Sequence, residues 1–261
     1  QHPVSVGKPH PRGVSVGEGG VNVAVVSRHA GQIFFCVFDE FGEHERARLA
    51  LPGRYGDVHH GFIAGIGPGV RYGLRAEGPW QPDLGHRFDP DKLLLDPYAD
   101  TLDRAFAWHT PLANVRAAAI DTAPWVPKAV VSRGWTPAPR PAPHTPGFIY
   151  EVSVRAFTLR HPEVPPEIRG TVAALAHPAV IAHLKRIGVD TIELMPLMAW
   201  MDERHLPPLG LRNAWGYNPV SFFAPDPRLA PGGLDEVRQA ISALHDAGFQ
   251  ADDALWVDIL A

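Results

Sequence analysis

The chain has 261 residues, enough for one large domain or two of medium size with a substantial buried core. Its net charge of -4 excludes a dominant basic surface for nucleic acid or anionic membrane, and no run approaches the ~18 apolar residues of a membrane-spanning helix. A single cysteine, Cys36, excludes an internal disulfide and fits a reducing compartment.

The start, Gln1 to Gly7, lacks the basic and apolar stretches of a secretion signal, so a cytoplasmic location is expected. Residues 14 to about 100 read as all-β. Val21, Val23 and Val25 alternate with Asn22 and Ala24, and Ile33, Phe35 and Val37 repeat the period of two. A turn at Asp39–Gly42 leads to a returning strand at Glu45–Leu49, and shorter strands fit His60–Ile63 and Val70–Ala76. Short strands punctuated by Gly and Asp predict an immunoglobulin-like β-sandwich. Within it, Cys36 is expected to be buried and inert. His59-His60 reads as a solvated turn, since no third ligand at suitable spacing supports a metal site.

Residues 101–146 are rich in alanine and proline, most densely at Pro137–Pro143. Each proline removes a backbone donor and biases its predecessor towards extended structure, which predicts a surface linker. The rhythm changes from residue 147. A strand over Phe148–Val154 is followed by a helix over Val172–Ile187, with Val180, Leu184 and Ile187 on one face and Gly188 as its stop. A second strand, Val189–Met195, ends at Pro196. After a long loop, Leu234, Val237, Ile241 and Leu244 mark a helix over Leu234–Ala247. Strand, helix, strand, loop, helix is the order of a βα barrel or an open α/β sheet.

Several segments resemble, in order, the bacterial glycogen-debranching enzymes of the isoamylase type. Pro68–Trp80 is similar to part of their sandwich domain, and His86–Ala99 to the segment that follows it. Ile149–Val152 and Gly188–Pro196 resemble the first two strands of the α-amylase-type barrel, and Asn213–Pro219 with Phe222–Asp226 resembles the loop after the second. The resemblance runs from about Gly7 to Phe249. It implies a family 48 carbohydrate-binding-like sandwich over residues 1–113, a Pro/Ala-rich linker over 114–146, and over 147–261 the first βα units of an incomplete (β/α)8 barrel of glycoside hydrolase family 13, divergent after 249. The partner it implies is α-glucan (glycogen or limit dextrin), with no nucleic acid, no membrane and no cofactor.

The family cleaves α-1,6 branch linkages with retention, which needs two carboxylates about 5 Å apart. A complete barrel takes ~250 residues. The resemblance implies that the family's catalytic carboxylates lie beyond this chain, so no catalytic residue is assigned and the fragment is expected to be inactive alone. The family's apolar third strand has no match in Gln250–Ala261, and the expectation is a frameshift or premature stop near codon 250. Leu255–Leu260 is apolar enough for a substitute strand, while Asp252, Asp253 and Asp258 are not expected to act. Among the remaining candidates, Tyr217 matches the family's sugar-stacking tyrosine, flanked by Trp215 and Asn218, which are expected to contact substrate or support the loop. Trp80 is a lesser candidate for a sugar platform. Glu151 and Glu193 lie at scaffold positions. Three residues depart from the family pattern: Ser153 stands where His is usual, Ala156 where Gly is usual, and His59 where Trp is usual. The alternative functions are a non-catalytic α-glucan-binding module, or a partner of a separately encoded barrel remainder.

Overall fold

The computed structural model describes residues 2–113, 116–134 and 147–253. The chain forms two compact units, Gln1–Trp135 with Val220–Phe223, and Thr136–Pro219 with Ala224–Ala261.

The first unit is a β-sandwich. Its strands are β1 (Val4–Ser5), β2 (Gly13–Gly17), β3 (Gly20–Val26), β4 (Gln32–Phe38), β5 (Glu45–Ala50), β6 (Gly53–Tyr55), β7 (Val58–Ala64), β8 (Arg71–Glu77), β9 (Trp80–Gln81), β10 (His86–Arg87) and β11 (Ala129–Val130). One antiparallel sheet runs β1-β7-β3-β2, with β6 also paired to β7, and a second runs β11-β8-β4-β5. The alternation in β3 and β4 is the cause: Val21, Val23, Ile33 and Phe35 are buried, and apolar residues two apart line one face of a pleated strand. In the second sheet Phe35 stacks on Tyr72 at 4.9 Å, and the Tyr72 hydroxyl donates to the buried Asp96 at 2.8 Å. Cys36 is fully buried in β4, and burial pushes its thiol up to about 12.

Arg75 is the largest charged side chain in this core, and it is fully buried. Its Nε donates to Glu45 at 2.9 Å, Nη1 to the Pro90 carbonyl at 2.9 Å and Nη2 to Asp121 at 2.7 Å. A buried guanidinium is tolerable only when its donors are satisfied in this way.

His59 and His60 are not in a solvated turn. Both are buried in β7. The register places His59 beside Val25 on the face that also carries Ile63 beside Val21, so His59 stands in an apolar row. His60, on the other face, makes a 2.8 Å hydrogen bond through Nδ1 to the Val6 carbonyl and packs over Gly53, where a Cβ would lie 2.3 Å from the imidazole. Pairing on both edges of β7 takes its backbone out of solvent, whatever the polarity of its side chains.

The segment expected as a linker is partly structural. β11 pairs antiparallel with β8, and Ala123, Val126, Ala129 and Val131 are buried. Lys128 is buried too, its Nζ donating to the carbonyls of Ala123 and Val126, each at 2.6 Å. The dense proline stretch, 137–143, lies outside the described residues.

The second unit contains β12 (Ile149–Val152), α1 (Val154–Thr158), α2 (Pro178–Arg186), β13 (Thr191–Leu194), α3 (Gly233–Asp246) and β14 (Gln250–Asp253). Its three described strands form a parallel sheet in the order β12-β13-β14, the opening βα units of a barrel that is incomplete in this chain. The helix expected over 172–187 is divided. A 3-10 turn over Val172–Ala176 ends at His177, and α2 begins at Pro178, which cannot donate into a preceding turn and suits a first helical position. Gly188 (φ 77°) and Gly248 (φ 91°) stop α2 and α3 in the left-handed conformation. The core holds Val180 and Leu184 of α2, Ile192 and Leu194 of β13, and Val237 and Leu244 of α3. A third strand does form after α3, at Gln250–Asp253, in register with β13. Leu255–Leu260 and Asp258 lie outside the described residues.

Candidate functional site

In parallel α/β sheets, ligands bind at the carboxyl ends of the strands, because the loops that leave those ends are free to vary over a rigid scaffold. The second unit has a cavity of about 280 Å³ there. Ser153 follows β12, and Met195 and Pro196 follow β13; all three line it. The Ser153 side chain is also the cap of α1, its Oγ accepting from the Ala156 amide at 3.4 Å.

The loop from Arg212 to Gly216 forms another wall. Asn213 organises it. Its Oδ1 accepts from the amides of Trp215 and Gly216, both at 2.9 Å, and its Nδ2 donates to Glu203 at 3.0 Å. The Asn213 amide donates to Asp202 at 2.7 Å. A side-chain oxygen taking two successive amides imposes a tight turn. Gly216 follows at φ 81°, and a Cβ there would sit 3.3 Å from the Pro196 carbonyl oxygen, so glycine meets both a backbone and a packing demand. The turn holds Trp215 outward, 69% exposed. Tyr217 is 48% exposed on the same loop and is not a lining residue of the cavity. Asn218 is half-buried, and its carbonyl accepts from the Met201 amide at 3.0 Å, which ties the loop to its other limb.

The floor is one the sequence did not announce. Trp200 is buried, with the Arg228 guanidinium 3.8 Å from its ring centroid. Asp226, fully buried, holds that guanidinium by two bonds of 2.8 Å, from Nε to Oδ1 and from Nη2 to Oδ2. Nη2 also reaches the Trp200 carbonyl at 3.1 Å. The Asp226 carboxylate further accepts from the Arg228 amide at 2.9 Å and the Trp200 amide at 3.4 Å. Asp226 belongs to the quoted Phe222–Asp226 motif, but nothing in its spacing disclosed a partner 26 residues away.

Among the described residues, none lining this cavity carries a carboxylate. Glu151 and Glu193 are neighbours in the β12–β13 ladder and do not line it. The described residues contain no group of three or more His, Cys, Asp or Glu that could hold a metal ion. In the first unit, Trp80 is 39% exposed on β9, with the Arg116 guanidinium 5.8 Å from its ring. No helix among the described residues is long and apolar enough to cross a membrane.

Residues 9–99 match carbohydrate-binding module 48, the isoamylase N-terminal domain. The chain is 43% identical over 256 residues to the glycogen debranching enzyme of Salmonella typhi, covering 95% of this chain and 39% of that protein. The Salmonella heidelberg glycogen debranching enzyme matches to the same extent. The chain thus spans about two fifths of the length of these relatives. Among solved structures, the Paenibacillus barengoltzii pullulanase in complex with maltohexaose and α-cyclodextrin aligns with a TM-score of 0.69 at 16% identity, over 95% of this chain and 38% of that one. The catalytic module of the glycogen-degrading pneumococcal virulence factor SpuA, in complex with an inhibitor, aligns with a TM-score of 0.65 at 20% identity, over 95% of this chain and 37% of that one.

Proposed function

We propose that this chain, which matches module 48 over residues 9–99 and is 43% identical to the Salmonella typhi glycogen debranching enzyme over 39% of that protein, is an α-glucan-binding part of a glycosidase that hydrolyses α-1,6 branch linkages in glycogen or limit dextrin. In this reading the second unit opens an isoamylase-type barrel of glycoside hydrolase family 13, and the protein works in the cytoplasm. The sandwich is placed at 1–113 and the barrel part at 147–261, with 114–146 between them, a segment whose β11 pairs with the sandwich strand β8. Tyr217 and Trp215 meet the glucan, and Asn218 supports them.

The observation that carries the reading is the strand-end cavity with an exposed aromatic residue on a rigid turn. A flat ring suits the C–H face of a pyranose, and Trp215 presents one at the cavity wall. Retaining hydrolysis requires a pair of carboxylates, and the cavity lining has none among the described residues, so this chain binds without cleaving. The experiment is affinity electrophoresis in glycogen-containing gels and titration with maltohexaose, for the chain and for Trp215→Ala and Tyr217→Ala, beside a reducing-end assay on limit dextrin. Retardation that the two substitutions weaken, with no new reducing ends, is the expected result. Absence of retardation, or hydrolysis by this chain, would overturn it.

A further inference from the structure

A neutral glucan asks for hydroxyl partners and aromatic faces. The strand-end cavity offers something more. Arg155, Arg212 and Arg228 all line it, in a chain whose net charge is -4, and none of the described lining residues is acidic. Arg228 is spent on Asp226. Arg155 and Arg212 have no ion pair and no side-chain hydrogen bond among the described residues. The nearby Asp202 and Glu203 are bonded to Asn213. Two arginines without a carboxylate partner among the described residues therefore line a small concave space, against the sign of the whole molecule.

We propose that this cavity binds a phosphate monoester of a sugar. A guanidinium presents a planar fork of donors that matches phosphate oxygens, and it stays charged at any working pH. A phosphate monoester carries roughly -1.5 to -2 at pH 7, which answers the two unpaired cations. The cavity, about 280 Å³, has room for one pyranose with its phosphoryl group, and Trp215 supplies the apolar face for the ring. This goes beyond neutral-glucan binding but places its ligand in the same cavity.

The test is calorimetric titration of the full chain at low ionic strength with glucose 6-phosphate, glucose, inorganic phosphate and a maltooligosaccharide carrying one 6-phosphate. The expected result is binding of a sugar phosphate at least about tenfold tighter than glucose or inorganic phosphate, weakened about tenfold or more in R155Q/R212Q. Both side chains are exposed, and an unchanged melting temperature of the variant confirms that folding is intact. Binding of the free ester identifies a soluble sugar phosphate as ligand. Binding of the phosphorylated oligosaccharide alone identifies a phosphorylated glucan. Either supports the proposal. Equal affinity for glucose and its phosphate, equal affinity for inorganic phosphate, indifference to R155Q/R212Q, or no binding would each overturn it. Maltohexaose titrated in parallel separates the two readings: a chain that binds maltohexaose and ignores both esters refutes this inference alone.

Discussion

Removing the Asp226 carboxylate tests whether the cavity floor is held as described. The pair it makes with Arg228 is desolvated, with side-chain exposures of 20% for Arg228 and 0% for Asp226. Breaking a buried pair from one side typically costs 3–5 kcal/mol, because a charge is left without its partner. Arg228 keeps some access to water and can rehydrate in part, which places Asp226→Ala at the lower end, about 3 kcal/mol, or roughly two decades in the unfolding equilibrium. Asp226→Asn keeps the shape and one acceptor and is expected to cost less. Urea unfolding followed by far-ultraviolet circular dichroism gives the numbers. Arg228→Ala and the double variant complete a thermodynamic cycle, with an expected coupling of about 2 kcal/mol between groups in direct contact. A loss below about 1 kcal/mol, the size of a surface ion pair, or additivity in the cycle would refute the reasoning.

Three further outcomes follow from the geometry. Burial first, and then the Arg54 charge, holds the His59 pKa below its ordinary value, so as pH falls the unfolded chain takes up this proton near pH 6.5, before the folded protein does. The unfolded state then binds more protons as pH falls below that point, and stability drops; the chain should melt at a lower temperature at pH 5 than at pH 7.5, with a smaller difference in His59→Phe. The Cys36 thiol, pushed up to about 12 and buried, should resist a thiol reagent at pH 8 in the native chain and react only in denaturant. Gly216→Ala places a Cβ at positive φ and 3.3 Å from the Pro196 oxygen; it should cost about 1–2 kcal/mol and weaken maltohexaose binding, both measurable on one preparation.

Local periodicity made most strands and the α3 helix legible, because apolar residues two or three to four apart report a buried face directly. It failed where long-range pairing decides. Residues 116–134 have the composition of a linker, yet β11 finds β8 nearly sixty residues back, and Lys128 enters the core by bonding two carbonyls of its own turn. His59 looked polar and therefore exposed, although its strand neighbours place it in a row of valines. Pro178 splits a helix that the apolar spacing around it makes look continuous.

The site divides along the same line. Trp215 was legible because a motif names it, and its neighbours Asn213 and Gly216 fix the turn from within four residues. The floor was not, because Trp200, Asp226 and Arg228 meet across a gap of 26 to 28 residues. That difference matters for chemistry. A sequence can count arginines around a loop, but only the fold shows which of them is already neutralised. Asp226 takes up Arg228 and leaves Arg155 and Arg212 as the lining arginines without a carboxylate partner among the described residues, so the charge a ligand would meet depends on a buried carboxylate that does not line the cavity itself.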